Sequence, residues 1–459
     1  MTDPSPTESE PAKPEAVPCA VTDSAPTDEK KCETKPEAAT ALEDVELVAA
    51  DTAADASLSP AEHDGDPAKD GAAIFMLVNP SSGAKQGASY MKLGSPVIAG
   101  DESSGRKLRL DVSAGRATLY FYDLRAGKSG DKPGFKHLAR TEKKLRKDNE
   151  ALAGSKKIRV IVCGGDGTVT WACDEMIKHG VPFTSLLLGI VAFGTGNDFS
   201  QSYGWGKWAR TNLLGKDNVF LKKDVDTWLQ SPDSPHDLWE VEVETHEKGD
   251  FAFVTGYNKK GLTDGARVQH HITEIEGNGM RCTKSVSCYF SLGPESRVGM
   301  GMERRRKKTW IGNKLMYGAN GIATYFKRNP LIKDVIERFE EELPDGSTKT
   351  IFQLDKLKDE PYLRRNPAVF AMLNTDTIGG GVHAWDRTVR RPASKISGKN
   401  AKASESQLVS ELGYRTPHEM GNGKADYLVW EHFRDFSTEM GLGLCCSVLF
   451  FCAQKKKFF

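Results

Sequence analysis

The chain has 459 residues and balances 63 Lys and Arg against 63 Asp and Glu. This length allows two or three domains with a buried core, and the charge balance argues against a uniformly basic nucleic-acid-binding protein. Nine cysteines form no CxxC pair, which excludes the usual zinc-finger spacings and favours a reducing, cytosolic compartment.

Residues 1–70 differ from the rest in composition. They hold 18 acidic and five basic residues, nine of the 22 prolines and no Phe, Trp or Tyr. Such a segment buries too little apolar surface to offset the entropy of ordering, so we predict a disordered acidic tail without a secretory signal. The longest apolar run, 440–453, is shorter than the roughly 20 residues of a membrane-spanning helix. We therefore expect a soluble or peripherally attached protein.

From residue 71 the pattern is typical of an α/β domain. Its predicted elements, in chain order, are a buried strand (72–80), a surface insertion (94–116), a strand (117–124), an exposed helix (136–152), a β-branched strand (158–163), a helix (169–178) and an apolar strand (186–193). After the polar stretch 230–237 the strands become short and alternating, as in LWEVEVE, DFAFVT, SVSCYFSL and PAVFAML. This change predicts an antiparallel second domain. The predicted divisions are 1–70, 71–230, 231–439 and an apolar, Cys- and Lys-containing tail, 440–459.

Two glycine turns follow predicted parallel strands: GGDGT (164–168) and GTGND (194–198). The carboxyl ends of parallel strands form the ligand-binding edge of open α/β sheets, so Asp166 and Asp198 are expected to face one cleft. Glycine lets backbone N–H groups approach a phosphate, and carboxylates can share Mg²⁺ with phosphate oxygens. The alternative is that each turn only connects two elements. Neither turn matches the GxxxxGK[ST] phosphate-binding loop.

Six segments together resemble the eukaryotic diacylglycerol kinases. FMLVNPSSGAKQG (75–87), CGGDGTVTWACDEM (163–176) and LGIVAFGTGNDFSQSYGWG (188–206) resemble their catalytic domain, and YFSLGPES (289–296), GNKLMYGANG (312–321) and LNTDTIGGGVHAWD (373–386) resemble their accessory domain. The resemblance covers about residues 71–435. It implies a Rossmann-like three-layer nucleotide-binding domain followed by a mainly antiparallel β-sandwich accessory domain.

The resemblance also implies an activity and a set of site residues. The activity is transfer of the ATP γ-phosphoryl group to diacylglycerol in membranes, giving phosphatidic acid. Nucleotide contacts are expected from Asn79, Ser82, Gly83, Gly164, Gly165, Gly167, Thr168, Gly194, Thr195, Gly196 and Asn197. Mg²⁺ ligands are expected at Asp166, Asp198 and Glu295, and Asp166 is also a predicted catalytic residue.

The chain departs from the family pattern at two predicted site positions. The family motif DGxLE, whose Asp is expected to accept the lipid hydroxyl proton, is matched best by GNGKAD (421–426). This match places Asn422 at the Asp position and Asp426 at the Glu position, and an amide cannot act as a base. Either Asp426 substitutes for it, or the short motif is misaligned. Glu295 replaces the family's Asp in YFSLGPES and keeps a carboxylate.

Two further segments have alternative interpretations. RRRKK (304–308) could attract an anionic membrane surface or form a solvated helix face. The tail with Cys445, Cys446 and Cys452 could be a palmitoylated basic anchor or an irregular, truncated terminus. For the whole chain, the alternatives to a diacylglycerol kinase are a kinase of sphingoid bases or ceramide, and a catalytically impaired regulator. We expect no nucleic-acid partner, and a cytoplasmic protein with reversible membrane association.

Overall fold

The computed structural model describes residues 71–97, 105–152, 156–251, 257–258, 261–262, 271–305, 310–327, 329–343, 345–353, 367–385, 418–442 and 448–454. The predicted tail 1–70 lies outside the described residues, as do Cys445 and Cys446. Among the helices of the described part, none has the length and apolar character needed to cross a membrane.

A six-stranded sheet organises the first half of the chain. Its strands are β1 (Ala72–Val78), β2 (Ser95–Pro96), β3 (Arg106–Val112), β4 (Gly115–Asp123), β5 (Ile158–Gly164) and β6 (Leu186–Ala192), in the spatial order β2-β3-β4-β1-β5-β6. The neighbours β4, β1, β5 and β6 pair in parallel, whereas β2 and β3 are antiparallel. The prediction of a surface insertion at 94–116 was therefore wrong in part, because β3 extends the sheet.

Helices cover both faces of this sheet. They are α1 (Pro133–Leu152), α2 (Asp166–Lys178), α3 (Asp198–Ser202) and α4 (Val219–Gln230). One apolar cluster packs α1 and α2 against alternate residues of the parallel strands, and a second packs α4 on the opposite face. Strands buried on both faces explain the continuous apolar runs in the sequence. The predicted three-layer α/β arrangement is confirmed.

The second half is mainly antiparallel. Its strands are β7 (Trp239–Glu244), β8 (Tyr257–Asn258), β9 (Gly261–Leu262), β10 (Ile272–Ile275), β11 (Gly279–Val286), β12 (Tyr289–Leu292), β13 (Arg338–Glu342), β14 (Thr348–Gln353), β15 (Val369–Leu373), β16 (Lys424–Trp430) and β17 (Val448–Gln454). They form the sheets β10-β11-β7 and β12-β15-β16-β17 and the pairs β13-β14 and β8-β9. A shared apolar cluster joins residues of β7, β11, β15 and β16. This packing agrees with the predicted sandwich-like accessory fold.

Three helices interrupt this antiparallel region: α5 (Glu295–Arg304), α6 (Trp310–Tyr325) and α7 (Phe433–Leu442). The sequence patterns did not predict the two helices between residues 295 and 325. Glycines and a central basic run obscure the apolar periodicity there. α7 packs on the outer face of β16, where Phe433 and Phe436 join a cluster that contains Trp430 and Ile378.

Candidate active site

The three predicted motif turns meet at one edge of the parallel sheet. Val78, at the end of β1, pairs with Cys163 of β5, and Cys163 pairs with Val191 of β6. The Asn79 N–H donates to the Cys163 carbonyl at 3.0 Å, and the Phe193 N–H donates to the Gly164 carbonyl at 2.8 Å. Because β1, β5 and β6 are adjacent and parallel, the turns that follow them emerge side by side.

Close backbone packing between two of these turns requires glycine. A Cβ atom on Gly165 would lie 2.8 Å from the Gly194 Cα, and a Cβ atom on Gly194 would lie 2.7 Å from the Gly165 Cα. Both separations are shorter than side-chain carbons adopt. GGDGT and GTGND therefore form one continuous backbone surface. Beside it, Gly167 is exposed, with open space where a Cβ would point.

Asp166 and Asp198 converge beside Gly196. Each is the first residue of its helix, α2 and α3 respectively. A Cβ atom on Gly196 would lie 3.1 Å from Asp198 Oδ2 and 3.2 Å from Asp166 Oδ2, so the absent side chain leaves room next to both carboxylates. The two acids are thus brought together as the sequence predicted.

Burial and mutual repulsion shape the electrostatics of this acidic pair. Desolvation, followed by the charge of Asp198, raises the pKa of Asp166, although backbone N–H groups including that of Phe199, at 2.9 Å, oppose this. Desolvation likewise raises the pKa of Asp198, opposed by N–H donors and Lys207. A cation placed between the two carboxylates would relieve both penalties.

Asp198 is also an attachment point for the second half of the chain. Its carboxylate accepts N–H groups from Gly380 at 3.0 and 2.9 Å and from Gly381 at 2.8 Å. Thr377 Oγ1 donates to the Asp198 carbonyl at 3.1 Å, and Lys207 Nζ donates to the Gly380 carbonyl at 2.6 Å. These contacts hold the triple-glycine turn after β15 directly over GTGND.

The polar residues of the turns mostly shape the backbone. Asn197 is fully buried in the left-handed conformation, and its amide accepts from the Gly194 N–H and donates to the carbonyls of Gly194 and Lys207. Asn79 Oδ1 accepts from the Ser81 N–H and hydroxyl. Thr168 Oγ1 accepts weakly from the Gly165 N–H at 3.4 Å.

The remaining predicted nucleotide contacts occupy the same edge. Ser82 lies directly before the 3-10 helix Gly83–Lys92, which follows β1, and Thr195 is half-buried between Gly194 and Gly196. Nucleotide binding by these residues remains a prediction.

Glu295 is the third predicted Mg²⁺ ligand. It begins α5, and its Oε2 presses against Gly293, where a Cβ atom would be 2.5 Å away. Among the described residues, neither carboxylate oxygen has a partner in good hydrogen-bond geometry. Burial raises the pKa of Glu295 to about 7. No three acidic, His or Cys side chains within the described ranges are grouped as metal ligands.

Asn422 and Asp426 occupy different environments. Asn422 is exposed and its Oδ1 accepts the Lys424 N–H at 2.8 Å, which closes the turn before β16. Asp426 is 7% exposed on β16, and its Oδ2 lies 2.5 Å from His418 Nδ1. Of the two candidates, only Asp426 has a carboxylate, and its role as a general base stays a prediction.

Sequence reasoning missed several residues that build this site: Lys207, Thr377, Gly380, Gly381 and His418. The run of three glycines at 379–381 was a signal for close backbone approach. Nothing in the local sequence indicates that Lys207 or His418 meets residues far along the chain.

Asp166, Asp198 and the space beside Gly196 fit a divalent cation bound together with phosphate. Two converging buried carboxylates with raised pKa values concentrate negative charge that a cation would neutralise, and hard oxygen ligands suit Mg²⁺. Asp166 and Asp198 would supply two protein ligands, and the role of Glu295 as a third stays a prediction. Phosphate oxygens and water ordinarily complete such a site.

Comparisons with known proteins agree with this arrangement. Residues 123–218 match the model of the diacylglycerol kinase catalytic domain, and residues 285–412 match that of the diacylglycerol kinase accessory domain. The chain is 23% identical over 378 residues to the Caenorhabditis elegans protein named probable diacylglycerol kinase 3, covering 78% of this chain and 38% of that protein. It is 27% identical over 279 residues to Arabidopsis thaliana diacylglycerol kinase 4, covering 57% and 54%.

Two more proteins are similar to this chain. The eye-specific diacylglycerol kinase of Drosophila melanogaster is 25% identical over 239 residues, covering 50% of this chain and 14% of that protein. A crystal structure titled as a putative diacylglycerol kinase from Bacillus anthracis aligns over 84% of this chain and 89% of that chain, at 12% identity and a TM-score of 0.29. The chain spans about half, or less, of the length of these curated relatives.

Proposed function

Because the chain belongs to the eukaryotic-type diacylglycerol kinase family, we propose that it transfers the ATP γ-phosphoryl group to diacylglycerol and forms phosphatidic acid. The observation that carries the proposal is the convergence of three motif turns and two carboxylates at one sheet edge. Backbone N–H groups at glycine turns and helix starts are suited to phosphate oxygens. In phosphoryl transfer, catalysis is almost entirely positioning and charge stabilisation.

The proposed roles follow from the geometry. The glycine turns hold the phosphates, and Asp166 and Asp198 would hold Mg²⁺, which when bound neutralises charge on the phosphate oxygens. The lipid hydroxyl oxygen forms a bond to the γ-phosphorus as the bond to the bridging β-γ oxygen breaks, leaving ADP. Asp426 is the proposed acceptor of the hydroxyl proton. The triple-glycine turn fixes Asp198 so that this charge arrangement is set before substrate binds.

We further propose that the protein acts at the membrane where its substrate resides, in the cytoplasm and by reversible association. The lipid substrate requires access to a bilayer, whereas no helix among the described residues could span one.

The test is a phosphotransfer assay on the purified chain. It uses labelled ATP, Mg²⁺ and mixed micelles that contain diacylglycerol, ceramide or sphingosine in separate reactions. We expect labelled phosphatidic acid only, and its loss in Asp166→Asn. Asp174→Asn, a change of the same chemistry on α2 eight positions away, is the matched control and should retain activity.

Other outcomes distinguish the alternatives. Detection of a phosphorylated sphingoid base or ceramide would show that the substrate is that lipid and not diacylglycerol. Saturable Mg·ATP binding without any lipid product would indicate a regulator that has lost its chemistry.

A further inference from the structure

Helix α6 presents an uncovered apolar face. Three large side chains on it are strongly exposed: Leu315 by 70%, Ile322 by 64% and, directly after the helix, Phe326 by 81%. Their positions, together with the exposed Gly318 and Ala319, follow the spacing of residues on one side of a helix. Contiguous exposure of this kind marks an interaction surface, unlike apolar side chains scattered singly.

The opposite side of α6 is packed against the protein. On α5, a Cβ atom at Gly301 would lie 2.4 Å from Asn320 Oδ1, so the two helices approach closely at this point. α7 also contacts α6. Because one side is anchored, the apolar face is held outward as a fixed feature of the fold. The ring pair Tyr325 and Phe326, at 5.2 Å between centroids, ends that face.

Basic residues flank this face along the sequence. Residues 304–333 contain nine Lys and Arg and no Asp or Glu, in a chain whose net charge is zero. Among the described residues, Arg305 and Lys327 are exposed close to the two ends of α6. Basic residues close to an anionic bilayer strengthen binding to it. An apolar helix face bordered by cations is the pattern of a helix that lies in a membrane interface.

The apolar face is also near the candidate active site. Tyr289 of β12 packs with the apolar cluster that contains Phe199, the residue after Asp198, and also with the cluster that Val298 of α5 joins. Because α5 packs against α6, these contacts place α6 close to the acidic pair. A lipid surface that contacts α6 would lie close to the place where the lipid headgroup must react.

We propose that the apolar face of α6 (Leu315, Ile322 and Phe326), with Arg305 and Lys327 at its ends, inserts into the interface of an anionic membrane. This deepens the proposed function, on which it rests for the location of the substrate. A nucleic acid would match the charge but not the exposed Leu, Ile and Phe side chains.

The test is cosedimentation of the full chain with vesicles of phosphatidylcholine and phosphatidylserine in a 70:30 ratio, with pure phosphatidylcholine for comparison. We expect binding to the anionic vesicles that weakens as salt rises. Ile322→Gln with Phe326→Gln should weaken it about 10-fold or more, because two inserted apolar side chains are lost. The matched control is Ile177→Gln with Val219→Gln, whose side chains are each 53% exposed on other helices; it should bind like the wild type.

A second pair of substitutions separates insertion from simple attraction. Arg305→Gln with Lys327→Gln should reduce binding to anionic vesicles and its salt dependence. Circular dichroism and thermal denaturation should show all variants folded, since every substituted side chain is exposed. Unchanged binding of the Ile322→Gln, Phe326→Gln variant would overturn the proposal, whether or not the charge variant binds, and so would failure of the wild type to bind anionic vesicles.

Vesicle binding needs no phosphoryl transfer, so its result is independent of the proposed enzyme activity. If the kinase assay succeeds, activity on a monomeric, short-chain diacylglycerol should be equal in the wild type and the apolar-face variant. A kinase that is active on this soluble substrate but does not bind vesicles would support the proposed function and contradict the role of α6. Vesicle binding without kinase activity would support the role of α6 and contradict the proposed function.

Discussion

His418 Nδ1 lies 2.5 Å from Asp426 Oδ2, and both side chains are buried. The other ring nitrogen, Nε2, is buried without a hydrogen-bond partner among the described residues and lies 4.0 Å from Asp376 Oδ1. Asp376 belongs to the loop after β15 whose next residue, Thr377, bonds to Asp198. A single loop thus runs from the acidic pair to the buried His and Asp.

This relationship predicts which residue of GNGKAD takes part in catalysis. Asp426→Asn keeps the size and a hydrogen-bond acceptor but removes the base, so kcat should fall by about 10²-fold or more while KM and thermal stability change little. Asn422→Asp is the contrasting variant: its side chain is exposed and caps a turn, so activity should stay within about twofold. A strong gain of activity in Asn422→Asp would show that the base belongs at 422 instead.

Gly167 tests whether phosphate binds against the GGDGT turn. An added Cβ meets no protein atom within 4 Å, and Ala is favoured over Gly within a helix by about 0.5–1 kcal/mol. Gly167→Ala should therefore keep or raise the melting temperature while it weakens Mg·ATP binding about 10-fold, measured by titration calorimetry. Gly299→Ala, an equally open helical glycine on α5, should leave nucleotide affinity unchanged. Equal affinities in both variants would place the phosphates elsewhere.

Substitutions of Asp166 and Asp198 should have different effects on the stability of the protein. Asp198 is 1% exposed and accepts N–H groups from Gly380 and Gly381. The NH₂ group of an Asn side chain at this position would face one of these N–H groups, and two donors cannot form a hydrogen bond. We expect Asp198→Asn to lower the free energy of unfolding by about 1–3 kcal/mol. Asp166→Asn removes like-charge repulsion and should be neutral or stabilising. Denaturant unfolding measures both, and a larger loss in Asp166→Asn would contradict the assignment.

The buried carboxyl group of Glu295 should make the free energy of unfolding depend on pH. Its pKa rises from 4.5 to about 7 on folding because the carboxyl is buried. Its favourable contribution is therefore fully present below about pH 4.5 and is lost as pH rises through about 7. Relative to wild type, Glu295→Gln should gain up to about 3 kcal/mol between pH 4.5 and 8. Chemical denaturation at both pH values tests this, with the exposed Glu274→Gln as a control that should show no such trend.

Much of the first sheet could be predicted because its information is local. Ile158–Gly164 is continuously apolar since the strand is covered on both faces, and a glycine turn follows it directly. Parallel strands then place such turns at a common edge, so proximity of Asp166 and Asp198 followed from the pattern. The hairpin of α5 and α6 was not predictable in this way, because Gly299, Gly301, Gly318 and Gly321 weaken the helical signal.

The sequence by itself determined the strands, the glycine turns and the acidic residues next to them, because strand burial and turn geometry depend on neighbouring residues. Only the tertiary structure decided what those residues meet. Asp198 accepts the Gly380 N–H from 182 positions away, and His418 lies 4.0 Å from Asp376, in the loop after β15. Such contacts depend on how separate sheets pack, and no periodicity in the chain records that packing. The same applies to α6, whose apolar residues could have been core until the packing left them outside.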